Sequence, residues 1–102
     1  MEEMNRPKIF LTRRLPPATM LRLETEADLL HVDLDRPPTR EELIRGVQQV
    51  EGLICLLTDT IDAELMDSNP QLKVVSNFAV GYNNIDVDSA TKRGIAVTNT
   101  PG

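Results

Sequence analysis

Few side chains in this 102-residue chain have chemistry to offer, and they are scattered. Its single histidine, His31, and single cysteine, Cys55, supply no metal-ligand spacing and no internal disulfide. His31 falls on the polar side of an alternating stretch and reads as solvent-facing, whereas Cys55 sits inside an apolar run and reads as a small buried hydrophobe. Asp59 and Asp62 are spaced like an acid pair, but Asp62 is placed to cap a short helix through Leu65 and Met66, and no second cluster of ligands accompanies them. Arg13 and Arg14 adjoin at the tip of a strand candidate, where surface or interdomain contacts explain them better than approach to a substrate. Gly81 stands apart. It follows a β-rich run containing Leu72, Val74 and Val75, within turn formers that accumulate from Asn77 to Asn84. Glycine there opens backbone angles closed to other residues, so the Val80 and Gly81 N–H groups can turn toward a bound anion. The same glycine also fits a plain tight turn, and the local pattern leaves both readings open.

The elements that must position these residues are well punctuated. Residues 8–12 form a strand candidate, and Pro16-Pro17 opens a helix whose Met20, Leu23 and Ala27 fall on one face. Residues 28–35 alternate, with Leu30, Val32 and Leu34 to one side and His31, Asp33 and Asp35 to the other, the pattern of an edge strand. After Pro37-Pro38, Thr39 and Glu42 make a capping box for a helix with Leu43, Val47 and Val50 inward. Gly52 then releases the chain into the apolar run 53–57, which lacks alternation and reads as a central strand. Asp62 caps a short helix stopped by Asn69-Pro70, and the strand through Val74 and Val75 follows. Asp86 caps the last helix, flanked by Ile85 and Ala90 as a hydrophobic staple. Lys92 and Arg93 oppose its dipole, Gly94 closes it, and residues 95–98 form a fifth strand before a turn at 99–102.

This β-α-β-α-β-α-β-α-β order predicts an α/β fold, a flavodoxin-like doubly wound parallel five-stranded sheet of order 2-1-3-4-5 in three α/β/α layers. The first helix is expected on one face and the three later helices on the other, leaving one face under-covered beside strands three to five. An uncovered apolar patch of that kind favours association, so a homodimer or segment-swapped assembly is expected. Ligands of such sheets bind beyond the carboxyl ends of the strands, where the tips at 12–14, 57–59, 78–81 and 98–101 would converge.

The series AVGYNNID at 79–86 and DSATKRGIAVTNTPG at 88–102 resembles the signature of D-isomer-specific 2-hydroxyacid dehydrogenases, and within them is most similar to glyoxylate/hydroxypyruvate reductases. The resemblance reaches back through IFLTRRLP at 9–16 and LICLLTD at 53–59, so it covers nearly the whole chain. It implies that residues 1–102 are the N-terminal segment of the substrate-binding domain, without the dinucleotide-binding domain. It further implies that the Val80 and Gly81 N–H groups hold the substrate carboxylate, that Leu57 forms an apolar wall beside it, and that 99–101 lie near the interdomain hinge. The catalytic arginine, glutamate and histidine and the glycine-rich loop would follow Gly102. NAD or NADP is therefore implied for the complete enzyme, with no cofactor, metal or catalytic residue expected on this chain, which should be inactive alone.

Composition narrows the alternatives. With 16 acidic and 11 basic residues the formal charge is −5, which argues against nucleic acid or an anionic membrane surface as partner. No apolar run approaches the roughly 18 residues of a membrane span, and the polar start MEEMNRPK is unlike a secretory signal, so a cytoplasmic location is expected. A contrary reading is a free-standing flavodoxin-like binding or structural module. Flavin is a poorer fit, since the first loop, TRRLPPAT, lacks the composition of a phosphate cradle.

Overall fold

Three of the four described helices start on short side chains that satisfy otherwise orphaned N–H groups, and the computed structural model shows each of these caps engaged. It describes residues 7–12, 15–31, 38–78 and 81–99. Thr39 accepts from the Glu42 N–H while the Glu42 carboxylate accepts from the Thr39 N–H, the reciprocal capping box that opens α2 (Arg40–Val47). Asp62 accepts from the Leu65 N–H to open α3 (Ala63–Asp67), and Asp86 accepts from the Ser89 N–H to open α4 (Val87–Lys92). α1 (Pro17–Glu26) has no side-chain cap and starts on proline, whose missing N–H needs none. Gly94 closes α4 at φ 71°, with its own N–H bonded to the Thr91 carbonyl and the Ile95 N–H to that of Ala90.

Between these helices run β1 (Lys8–Leu11), β2 (Asp28–His31), β3 (Gly52–Cys55), β4 (Val74–Asn77) and β5 (Ala96–Asn99). All pair in parallel in the order β2-β1-β3-β4-β5. The register lays Phe10, Leu53, Val75 and Val97 in one row and Leu11, Ile54, Ser76 and Thr98 in the next, on the opposite face.

The two faces are covered unequally. Phe10, Leu53, Cys55 and Val75 join Leu43 and Val47 of α2, Leu65 and Met66 of α3 and Ala90 of α4 in the main core. On the other face α1 is the helix that packs, its Met20 and Leu23 meeting Leu11, Leu29 and Ile54. Toward β4 and β5 that face is uncovered among the described residues, but its side chains are short. Val74 and Ser76 are half-buried, Ala96 and Thr98 are exposed, and the Thr98 hydroxyl donates to Ser76 Oγ at 2.8 Å.

Two sequence expectations shift, and part of a third lies outside the described residues. The alternation in β2 is inverted where described: Leu29 packs under α1, whereas Leu30 is 45% exposed, because an edge strand's outer face finds no helix here. Of the longer strand expected at 28–35, residues 32–37 lie outside the described ones, as do the side chain of His31, Arg13, Arg14 and Val80. The run 53–57 leaves the sheet after Cys55, because the Leu56 N–H is taken by the Asp59 carboxylate and the chain turns.

Candidate carboxylate site at the strand ends

The carboxyl ends of β1, β3 and β4 are stitched together by polar side chains. Thr12, just past β1, donates its hydroxyl to Asp59 Oδ2 at 2.7 Å, and the same oxygen accepts from the Leu56 N–H at 3.0 Å. The Asp59 N–H in turn donates to the Leu56 carbonyl at 2.9 Å, closing a tight turn over 56–59. Asp59 is only 2% exposed, so these partners replace the water it gives up. Leu57 stands at the crest of this turn, 55% exposed.

A second knot holds the loop after β4. Asn77 is fully buried and donates to the Gly81 carbonyl at 2.7 Å and to Asn84 Oδ1 at 2.9 Å. Its own oxygen accepts from Asn84 Nδ2 at 3.3 Å and from Cys55 Sγ at 3.4 Å. Asn84 reaches across to the 56–59 turn, donating to the carbonyls of Leu56 at 3.0 Å and Asp59 at 2.8 Å. The Phe78 N–H still bonds the Cys55 carbonyl at 2.8 Å, and the parallel bridge between Ile61 and Ile85 pins the far side of the loop. Of the tips expected to converge, those of β1, β3 and β4 are therefore directly bonded.

Gly81 differs from expectation in an informative way. Gly94, not Gly81, is the described glycine with positive φ, and a Cβ built on Gly81 would meet nothing within 4 Å. Among the described residues, neither a positive φ nor packing requires glycine there. Gly46, by contrast, is demanded by packing, since a Cβ would lie 2.4 Å from Phe10 Cζ.

The remaining titratable groups near the site are structural. Burial first, and then the charge of Asp59, push the Cys55 thiol up to about 12, so it stays protonated and unreactive. Partial burial works to raise the Asp62 carboxyl, but the Arg40 guanidinium at 2.6 Å and the Leu65 N–H outweigh it and hold it below its usual value. Arg40 also reaches Glu64 at 3.0 Å, tying α2 to α3. Among the described residues no group of three or more His, Cys, Asp or Glu side chains gathers to hold a metal, and no helix is long and apolar enough to cross a membrane. A cleft of about 270 Å³ opens beside the loop, lined by Tyr82, Val87, Val97, Thr98 and Asn99. Gly81 and Leu57 do not line it.

Residues 9–102 match the family model of the D-isomer specific 2-hydroxyacid dehydrogenase catalytic domain. The chain belongs to this family. A glyoxylate reductase of Thermofilum pendens is 50% identical over 100 residues, covering 97% of this chain and 30% of that protein. A solved protein of Pyrococcus horikoshii OT3 superposes with a TM-score of 0.86 at 34% identity, over 96% of this chain and 28% of that one. The NADPH-dependent glyoxylate/hydroxypyruvate reductase of Sinorhizobium meliloti, solved with NADP and malonate, gives 0.70 at 31%, over 96% and 29%. The chain thus spans about 30% of the length of the dehydrogenases it matches.

Sequence reasoning placed Leu57, Val80 and Gly81 at strand ends that do converge, although Val80 lies outside the described residues. It missed Thr12, Asp59, Asn77 and Asn84 as the framework beneath them. The available signal was polar residues clustered at three strand ends that the topology brings together.

Proposed function

We propose that this chain is the carboxylate-holding part of an NAD(P)H-dependent reductase of glyoxylate- or hydroxypyruvate-type 2-keto acids. The Val80 and Gly81 N–H groups hold the substrate carboxylate, and Leu57 is the apolar wall beside it. The observation that supports this reading is the place of Gly81: its Cβ direction is open among the described residues, and Asn77 and Asn84 hold its loop beside the turn that carries Leu57, leaving room for a ligand to approach the backbone. Neutral N–H donors suit the task, since they fix an anion without adding a charge that must be desolvated.

The dinucleotide is assigned elsewhere. Gly46 packs against Phe10, Gly52 lies inside a strand row between Ile9 and Val74, and Gly94 ends a helix, so these glycines build no pyrophosphate cradle. A bound nicotinamide supplies hydride to the keto carbon, and this chain's share is orientation of the acid group. The 102-residue chain alone is therefore inactive in this reading. Self-association through the uncovered strip of β4 and β5 belongs to the same proposal, and a folded monomer in sedimentation velocity at micromolar concentration refutes that part.

Gly81→Ala is the test. Because the site is open and φ is ordinary, stability should be unchanged or raised by up to about 1 kcal/mol, while the added methyl blocks the carboxylate. In NMR titrations with glyoxylate the wild-type Gly81 amide should shift and the variant's residue-81 amide should not. Equal binding by a stable Gly81→Ala variant overturns the assignment.

A further inference from the structure

We infer that Asn77 and Asn84 are positioning residues for the carboxylate loop, anchoring it at the Gly81 carbonyl and setting its spacing from the Leu57 wall; this rests on the reading of Gly81 given above. Asn77 is bonded at both ends of its amide: the nitrogen donates to the Gly81 carbonyl and Asn84, and the oxygen accepts from Asn84 and Cys55, whose donors it shares with other acceptors. A fully buried amide bonded through both its nitrogen and its oxygen is held in one orientation. That orientation draws the Gly81 carbonyl inward. No described peptide bond is cis, so the N–H of the same peptide, on Tyr82, points the opposite way, away from Asn77. The end of the loop that follows the Gly81 N–H is thereby anchored to the core by a side chain rather than by turn geometry.

Asn84 does a different job. Its amide nitrogen is shared among the Leu56 and Asp59 carbonyls and Asn77 Oδ1, so one side chain ties the Gly81 loop to both ends of the turn that carries Leu57. Thr12 and the Leu56 N–H hold that turn from beneath through Asp59. The two walls of the site are thus fixed relative to each other by side-chain bonds, where sheet hydrogen bonds have already ended.

The test compares Asn84→Ala and Asn77→Ala with Asn69→Ala in ¹⁵N-labelled chain titrated with glyoxylate, reading the Gly81 amide. Asn69 is a buried control. It donates to the Val47 and Val50 carbonyls at 2.6 and 2.7 Å, so its loss destabilises the fold without touching the loop. Asn84→Ala, at the half-buried end of the network, is the variant more certain to fold. The expected result is at least tenfold weaker binding for Asn84→Ala and Asn77→Ala, with Asn69→Ala within twofold of wild type. Wild-type affinity in Asn84→Ala, or equal weakening in Asn69→Ala, overturns the positioning role while the carboxylate reading stands. Absence of any wild-type Gly81 response overturns the carboxylate reading and the positioning role together.

Discussion

Replacing Asp59 with alanine removes the acceptor on which two strand ends depend. The lost bonds are the Thr12 hydroxyl at 2.7 Å and the Leu56 N–H at 3.0 Å, both to a carboxylate. Hydrogen bonds to charged groups are worth about 1.5–3 kcal/mol each, and the buried Thr12 hydroxyl is left unpaired, so the cost should be about 3 kcal/mol or more. For a domain of this size that lowers the melting temperature by roughly 12–24 °C, a large part of a typical reserve of about 5–15 kcal/mol. Thr12→Val keeps the shape and deletes only the donor, so it should cost about 1.5 kcal/mol. The two changes share a bond and must not add: the double variant should be no less stable than Asp59→Ala alone within about 0.5 kcal/mol, giving a coupling of about 1.5 kcal/mol. Urea unfolding followed by circular dichroism measures all four corners of the cycle. Additive costs, or an Asp59→Ala variant within about 0.5 kcal/mol of wild type, would refute the view that this carboxylate organises the turn under Leu57.

Gly46→Ala should destabilise by about 1–2 kcal/mol, because overpacking costs more than the helix propensity gained. The new Cβ would sit 2.4–2.7 Å from three atoms of the Phe10 ring, so in a Phe10→Leu background, which lacks those atoms, the same substitution should cost less or stabilise in thermal melts. Acid stability follows from carboxyls held low in the folded state. Arg93 lowers Asp67, the Ser89 N–H lowers Asp86, and Asp62 is lowered by Arg40 against the opposing effect of its burial. A carboxyl with a depressed folded pKa binds fewer protons when folded, so its contribution is full above the ordinary value of 3.8 and is lost as pH falls through the lower folded values. Urea midpoints should fall with pH across that window, and flat midpoints would contradict the assignment.

What the sequence disclosed about the fold was what short-range chemistry encodes. The Thr39–Glu42 box, the Asp62 and Asp86 caps and the Gly94 stop each satisfy groups three to five residues away, and each is found as expected. The strand order followed because the non-alternating run at 53–57 had to lie centrally and the half-polar run at 28–35 at an edge. The exchange of roles between Leu29 and Leu30 was hidden, since both are leucines and only the placement of α1 decides which is covered. The site was legible in outline and not in mechanism. Asn77 read as a turn former, yet it ends β4 and is buried, because its partners at Gly81 and Asn84 form a polar interior that no periodicity reports. Asp59 was overshadowed by its neighbour Asp62 for the same reason: its side-chain partner lies 47 residues away.

That separation also bears on how the molecule acquires its site. The bonds defining it join Thr12 to Asp59 across 47 residues and Asn84 to Leu56 across 28. Every strand pairing beneath them is parallel, and each needs a completed crossover before it can form. No fragment of the chain contains the loop geometry in miniature, so a peptide spanning the Gly81 loop would not adopt it. Loop-closure entropy is met first by the sheet, and the asparagine and aspartate bonds follow. The Gly81 loop should then be among the last parts to settle during folding and the first to lose its shape when any of β1, β3 or β4 loosens, so that its geometry reports on the integrity of the whole sheet.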